Sequence, residues 1–200
     1  MSLRSRCGWL GSLIAVGVIA SFTLAHAEGS VDSLKVTDPA PEFSGVTDNG
    51  KTWRSADHVG KHTVVVYFYP AAMTGGCTKQ ACGFRDLHSR LTKLGVEVVG
   101  ISGDRPQNLQ YFKLSNRLNF PLMSDTSGAI ARAFGVPLGE GGSIQRTVEG
   151  KDVTLTRDLT ASRWTFVIGR DKKIALIETD VDPAGDAKTV AEAIEKMAAR

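Results

Sequence analysis

A chain of 200 residues, 42% hydrophobic and 22% charged, suits one ordinary domain with a substantial core. That composition excludes disordered, collagen-like and multi-span membrane classes. The 24 basic and 21 acidic residues leave a net charge of only +3, which argues against a nucleic-acid or anionic-membrane partner.

The first 27 residues read as a cleaved export signal rather than as part of the fold. Arg4 and Arg6 form a basic start, Trp9 to Leu24 is an apolar run, and Ala25-His26-Ala27 supplies a small-x-small cleavage site. Arg4-Ser5-Arg6 is not a twin-arginine pair, so general secretion is the simpler route. Removing the segment leaves 22 basic against 21 acidic residues and takes away Cys7. Cys77 and Cys82 then remain in an oxidising, exported compartment such as the periplasm.

Residues 28–200 read as a single domain. Phe43 to Trp53 looks like a hairpin turned at Asp48-Asn49-Gly50, and Ser55 is placed to cap a short helix through Val59. Thr63 to Tyr69 and Val96 to Ser102 are apolar on both faces, as central strands covered on both sides should be. Between them, Thr74 to Leu94 carries Cys77, Ala81, Phe84, Leu87, Leu91 and Leu94 at helical spacing, with Gly95 as the stop. Pro106 opens a further helix with Leu109, Phe112 and Leu118 on one face. A short strand is expected over Phe120 to Ser124 and a short helix over Ser127 to Phe134, ended by Gly135.

Residues 138–162 are the least regular, with Gly139, Gly141 and Gly142 close together. Within them Ile144 to Val148 and Val153 to Arg157 suggest a protruding hairpin around Glu149-Gly150-Lys151. Trp164 to Ile168 and Lys173 to Glu178 form another strand pair, turned at Gly169-Arg170-Asp171. A helix from Pro183 to about Ala199, with Val190, Ile194 and Met197 facing inward, closes the chain. Strands alternating with helices, then a strand pair and a last helix, indicate an α/β fold with a mixed sheet flanked by helices.

The chemistry concentrates in Val64-Val65-Val66-Tyr67-Phe68-Tyr69-Pro70 and the Gly75-Gly76-Cys77 that follows. Thiolate is the reactive form of cysteine, and the first turn of a helix favours it through unpaired N–H groups and the helix dipole. Gly75 and Gly76 let a ligand approach the backbone, Pro70 fixes the exit from the strand, and Thr74 can cap the helix or bond something held above it. Cys82 follows Cys77 by five residues. In a helix that spacing puts the two Cα atoms roughly 8.6 Å apart, whereas a disulfide needs less than about 7 Å. Either the bond is permanent and no helix forms there, or the segment unwinds to make it.

Pro70-x-x-x-Thr74-x-x-Cys77 is similar to the active-site signature of peroxiredoxins. Cys77-Thr78-x-x-Ala81-Cys82-Gly83-Phe84-Arg85-Asp86 resembles the bacterioferritin comigratory, or Q-type, atypical two-cysteine branch. Weaker echoes are Val98 to Asp104, Asn119 to Asp125 and Arg163-Trp164-Thr165-Phe166-Val167-Ile168, so the resemblance runs from about Pro39 to Glu178.

The resemblance implies a thioredoxin-like fold and hydroperoxide reduction with no cofactor and no metal. It implies that Cys77 is the peroxidatic thiolate, and that Thr74, Arg163 and the backbone N–H groups of Gly76 and Cys77 bind the peroxide. Pro70 would shield the sulfur. Cys82 would resolve the sulfenic acid into a Cys77–Cys82 disulfide, which a thioredoxin-like dithiol protein would reduce. A monomer is expected.

Two departures from the family pattern stand out: Gly75 replaces a usual proline, and 138–162 is longer than the usual connection. Lys79 and Gln80 are expected to face solvent, Arg85 and Asp86 to be helix-surface or structural groups, and His88 to be a surface or packing residue. His58, His62 and His88 lack metal-ligand spacing. An exported thiol–disulfide oxidoreductase would call for Cys-x-x-Cys. A copper chaperone of this fold would call for Cys-x-x-x-Cys with a ligating histidine. The spacing here matches neither.

Overall fold

Burial on both faces accounts for the uninterrupted apolar runs. Strands β3 (Thr63–Phe68) and β4 (Val96–Ser102) pair in parallel near the centre of a five-stranded sheet. Their β-branched and aromatic side chains suit extended backbone and fill the layers above and below it. The computed structural model, which describes residues 34–199, adds β5 (Leu122–Ser124) parallel to β4. On the other side lie β8 (Thr165–Ile168) and β9 (Ile174–Glu178), both antiparallel to their neighbours. The order β5-β4-β3-β8-β9 makes the sheet mixed, as the element pattern implied.

The period-two alternation of a strand divides the core in two. Val65, Tyr67, Val98 and Val167 face three helices: α1 (Gly75–Lys93), α2 (Pro106–Asn116) and α4 (Asp186–Ala198). Ala81, Phe84, Leu109, Phe112, Val190 and Ile194 are the helical side chains buried there. Val64, Val66, Ile101 and Phe166 face the other way, toward α3 (Ala129–Ala133) and the hairpin of β1 (Ser44–Val46) and β2 (Thr52–Arg54). The helices thus flank the sheet on both faces, which is the thioredoxin-like arrangement.

Several local expectations are corrected. Ser55 does not cap a helix: only a single 3₁₀ turn forms over Ser55–Asp57, and the Ser55 hydroxyl accepts from the Phe43 N–H at 2.9 Å. Leu118 is buried but lies beyond α2, which ends where Arg117 turns left-handed. Met197 is 37% exposed rather than inward-facing, at the rim of a cleft lined also by Leu94, Val167 and Ile194.

The largest difference is in the glycine-rich stretch. Instead of an irregular loop with a small hairpin, β6 (Leu138–Val148) and β7 (Lys151–Ala161) form a ribbon of two eleven-residue strands, paired from Leu138–Ala161 to Val148–Lys151. Glu149 and Gly150 alone make the turn, with φ of 50° and 78°, the mirror-image geometry that matches strand twist. Gly141 is not a loop residue: a side chain there would collide with the Arg157 and Asp158 backbone. Gly139 and Gly141 mark close approach of two strands, not a break in them.

Candidate active site

Strand β3 delivers its chain to a tight loop at the C-terminal end of the sheet, held at several points. The Tyr69 N–H still donates to Ile101 O at 3.1 Å, after which half-buried Pro70 turns the chain away. The Ala72 N–H donates to buried Asp104 Oδ2 at 2.7 Å. Met73 adopts a φ of +63°, uncommon for a side chain of that size, and its carbonyl accepts from Arg146 Nε of the ribbon at 2.9 Å. Thr74 is the N-cap residue, but its hydroxyl makes no capping bond. It donates to Ala71 O at 2.8 Å and keeps acceptor capacity.

Cys77 is the third residue of α1 and is 1% exposed. As at any helix start, the first backbone N–H groups around Gly76 and Cys77 have no partner within the helix. Arg163, in the connection from β7 to β8, is carried to the sulfur because β8 pairs beside β3, setting Tyr67 against Thr165. Its Nη2 donates to Cys77 Sγ at 3.3 Å. A Cβ on Gly76 would sit 3.4 Å from that guanidinium, so a bare backbone keeps the approach open. No Cβ contact arises within 4 Å at Gly75, and its φ is not positive, so neither space nor conformation demands glycine there.

Arg163 is itself steered. Its Nη1 donates to Gln80 Oε1 at 2.5 Å, Gln80 Nε2 donates to Asp186 Oδ2 at 2.7 Å, and the Thr165 hydroxyl donates to the same oxygen at 2.8 Å. Burial raises the Asp186 carboxyl above the ordinary range, and the Gln80 and Thr165 donors oppose that shift in part. Tyr67 beneath the site is fully buried, and its hydroxyl has no hydrogen-bond partner among the described residues. Burial, and next the nearby Cys77, push its pKa well above the usual tyrosine value, so it stays neutral.

Cys82 lies on the same continuous helix and is half-buried, and both thiols are free. With α1 intact from Gly75 to Lys93, the spacing estimate of roughly 8.6 Å between Cα atoms applies to this pair.

Arg163 thus meets the Cys77 sulfur, with Pro70, Thr74 and Gly76 in the loop and first helical turn just before it and Cys82 further along the same helix. Gln80 corrects the expectation of a solvent-facing residue: it is 0% exposed, while its neighbour Lys79 is exposed. Asp186 was missed, its sole hint being an acidic residue in a first helical turn. His58, His62 and His88 lie elsewhere. His58 and His62 contact Glu97 at 2.6 and 3.3 Å, and with His88 they line a separate cleft beside Trp53.

A buried thiol at a helix start, with an arginine donating to it in a thioredoxin-like fold, defines a thiol-dependent peroxidase of the peroxiredoxin class. The chain belongs to the AhpC/TSA family, whose model matches residues 36–177, and within it to the Bcp and peroxiredoxin Q branch. It is 40% identical over 150 residues to peroxiredoxin Bcp of Escherichia coli K12, spanning 75% of this chain and 88% of that one. Among solved structures it is similar to peroxidoxin BcpB of Mycobacterium tuberculosis. That similarity has a TM-score of 0.68 at 32% identity, over 82% of this chain and 98% of the other. It is also similar to the bacterioferritin comigratory protein of Xanthomonas campestris, described for its alkyl peroxide reduction activity. There the TM-score is 0.64 at 28% identity, over 78% and 92% of the two chains.

Proposed function

We propose that this peroxiredoxin reduces hydrogen peroxide and organic hydroperoxides through Cys77 and is recycled through a Cys77–Cys82 disulfide. The carrying observation is the Arg163 Nη2 to Cys77 Sγ contact at 3.3 Å, which puts a fixed positive charge on the sulfur at any working pH. The thiolate attacks the distal peroxide oxygen. A sulfur–oxygen bond forms, the oxygen–oxygen bond breaks, and the departing alkoxide or hydroxide takes a proton. Thr74 and the N–H groups of Gly76 and Cys77 hold the peroxide, and Pro70 screens the sulfenic acid from bulk water. Cys82 then displaces that hydroxyl as water. A thioredoxin-like dithiol protein returns two electrons and becomes a disulfide itself.

The protein acts as a monomer after export, with residues 1–27 removed and residues 28–200 forming the working domain in the periplasm or another exported compartment. Arg4, Arg6, the apolar run and Ala25-His26-Ala27 support that reading, though residues 1–27 fall outside the described residues. N-terminal sequencing of secreted protein should begin at Glu28; a start at Met1 rejects it. For the chemistry, Cys77→Ser is expected to abolish peroxide consumption with a dithiol donor, and unchanged consumption would reject the mechanism. Cys82→Ser is expected to stop after one oxidation and accumulate sulfenic acid.

A further inference from the structure

Gln80 sits between a group that can only accept hydrogen bonds and a group that can only donate them. The Asp186 carboxylate takes its Nε2–H, and the Arg163 guanidinium gives to its Oε1. The amide therefore has one acceptable orientation, since a flipped amide would face oxygen with oxygen and N–H with N–H. Asp186 is 4% exposed and Gln80 0%, so water does not readily replace either partner. The Thr165 hydroxyl fixes the carboxylate from the β8 side. A Cβ on Gly83 would lie 3.2 Å from that of Ala187, which shows how closely α1 and α4 pack around this contact.

Gln80 also lies between the two thiols. Joining Cys77 to Cys82 requires the first turns of α1 to unwind, because helical spacing holds their Cα atoms beyond disulfide reach. That movement pulls Gln80 away and strips Asp186 of one of its two donors. Taking Cys77 as peroxidatic and Cys82 as resolving, as proposed above, we infer that Asp186 is a positioning residue which latches the first turns of α1 through Gln80. Closed, the latch keeps Arg163 on the sulfur and favours attack on peroxide. Its opening is part of the barrier to disulfide formation. One contact thus speeds the first chemical step and slows the second.

Three variants test this: Asp186→Ala, which removes the acceptor; Gln80→Glu, which sets two carboxylates against each other; and the double exchange Gln80→Glu/Asp186→Asn. In the double exchange the carboxylate, now at position 80, still accepts from Arg163. The amide nitrogen now at position 186 stands where both donors met, giving one N–H to that carboxylate and the other to the Thr165 hydroxyl, which turns from donor to acceptor. Reduced full-length protein is mixed with hydrogen peroxide in a stopped flow, and the oxidation and disulfide-closure phases are resolved by tryptophan fluorescence. Each single variant should oxidise about tenfold more slowly and close its disulfide about tenfold faster, the scale of one hydrogen bond to a charged group. The double exchange should return both rate constants to within about threefold of wild type on the same scale. Single variants that shift both constants in one direction or neither, or a double exchange no better than Gln80→Glu, would overturn the latch alone. Wild-type protein that is oxidised by peroxide but forms no Cys77–Cys82 disulfide would instead overturn the resolving role of Cys82 on which the latch rests.

Discussion

Asp104, at the C-terminal end of β4, and Asp186, in the first turn of α4, are both buried and both one contact away from the Cys77 segment, yet they are held differently. Asp104 accepts from the Ala72 N–H at 2.7 Å, from Ser102 Oγ at 3.2 Å and from Asn108 Nδ2 at 3.3 Å, and it pairs with Arg157 Nε at 3.4 Å. Asp186 has the neutral donors Gln80 and Thr165. A carboxylate with an ion pair and several donors anchors a backbone that has to stay still, here the loop that presents Thr74. A carboxylate with two neutral donors, one of them on the segment that unwinds, can release its partner during turnover. The ribbon acquires a purpose from this contrast: Arg157 and Arg146 reach from it to Asp104 and Met73, bracing the static side of the site.

The contrast can be broken on the static side first. Arg157→Ala would leave Asp104 charged and fully buried, at a cost of about 3–5 kcal/mol. Thermal unfolding should drop by about 10 °C, the scale for a chain of this size. An unchanged melting temperature would show that the ribbon is not an anchor. Arg163→Ala comes next. It removes the donor to the sulfur and to Gln80 together, and the rate of oxidation by hydrogen peroxide should fall about a hundredfold, as when a preorganised charge-stabilising donor is lost.

A smaller effect should appear in the pH dependence of stability. The Asp186 carboxyl is raised in the folded protein, chiefly by burial, so the folded state holds its proton where the unfolded state has lost it. Stability from this group is therefore present at low pH and is lost as pH rises from the unfolded value near 3.8 through the raised folded one. Asp186→Asn should remove that fall, so urea midpoints of the two proteins should diverge as pH rises through this window, with wild type losing ground. Parallel curves would show that Asp186 does not titrate differently on folding.

The smallest effect is expected at Gly75, the first position of α1. Thr74 before it is extended, at φ −94° and ψ 154°, and a Cβ at Gly75 meets nothing. Gly75→Pro should therefore stabilise by about 0.4–1 kcal/mol by restricting the unfolded chain. A loss of stability would mean that the glycine is needed.

Much of this was legible from residue order. The strands around Val64 to Phe68 and Val96 to Ser102 announced themselves because both faces are buried. Pro70, Thr74 and Cys77 stood out because their spacing resembles the peroxiredoxin signature. The ribbon was legible over its outer half, where Ile144 to Val148 and Val153 to Arg157 alternate around the turn, and hidden over its inner half, where Gly139, Gly141 and Gly142 imitate loop residues. Gln80 was misread because an amide in a helix resembles a solvated residue until its partner is known. That partner lies 106 residues away, and only the packing of α4 against α1 brings the two together.

Amide hydrogen exchange on the reduced and peroxide-oxidised protein puts the two sides of the site in one experiment. On oxidation, with a Cys77–Cys82 disulfide confirmed by peptide mapping, the amides from Thr78 to Gly83 should lose protection while those of Tyr69 and Ala72 keep theirs. Retained protection across Thr78 to Gly83 in the disulfide form, or loss at Ala72 to the same degree, would contradict a thiol site built with one fixed wall and one that opens.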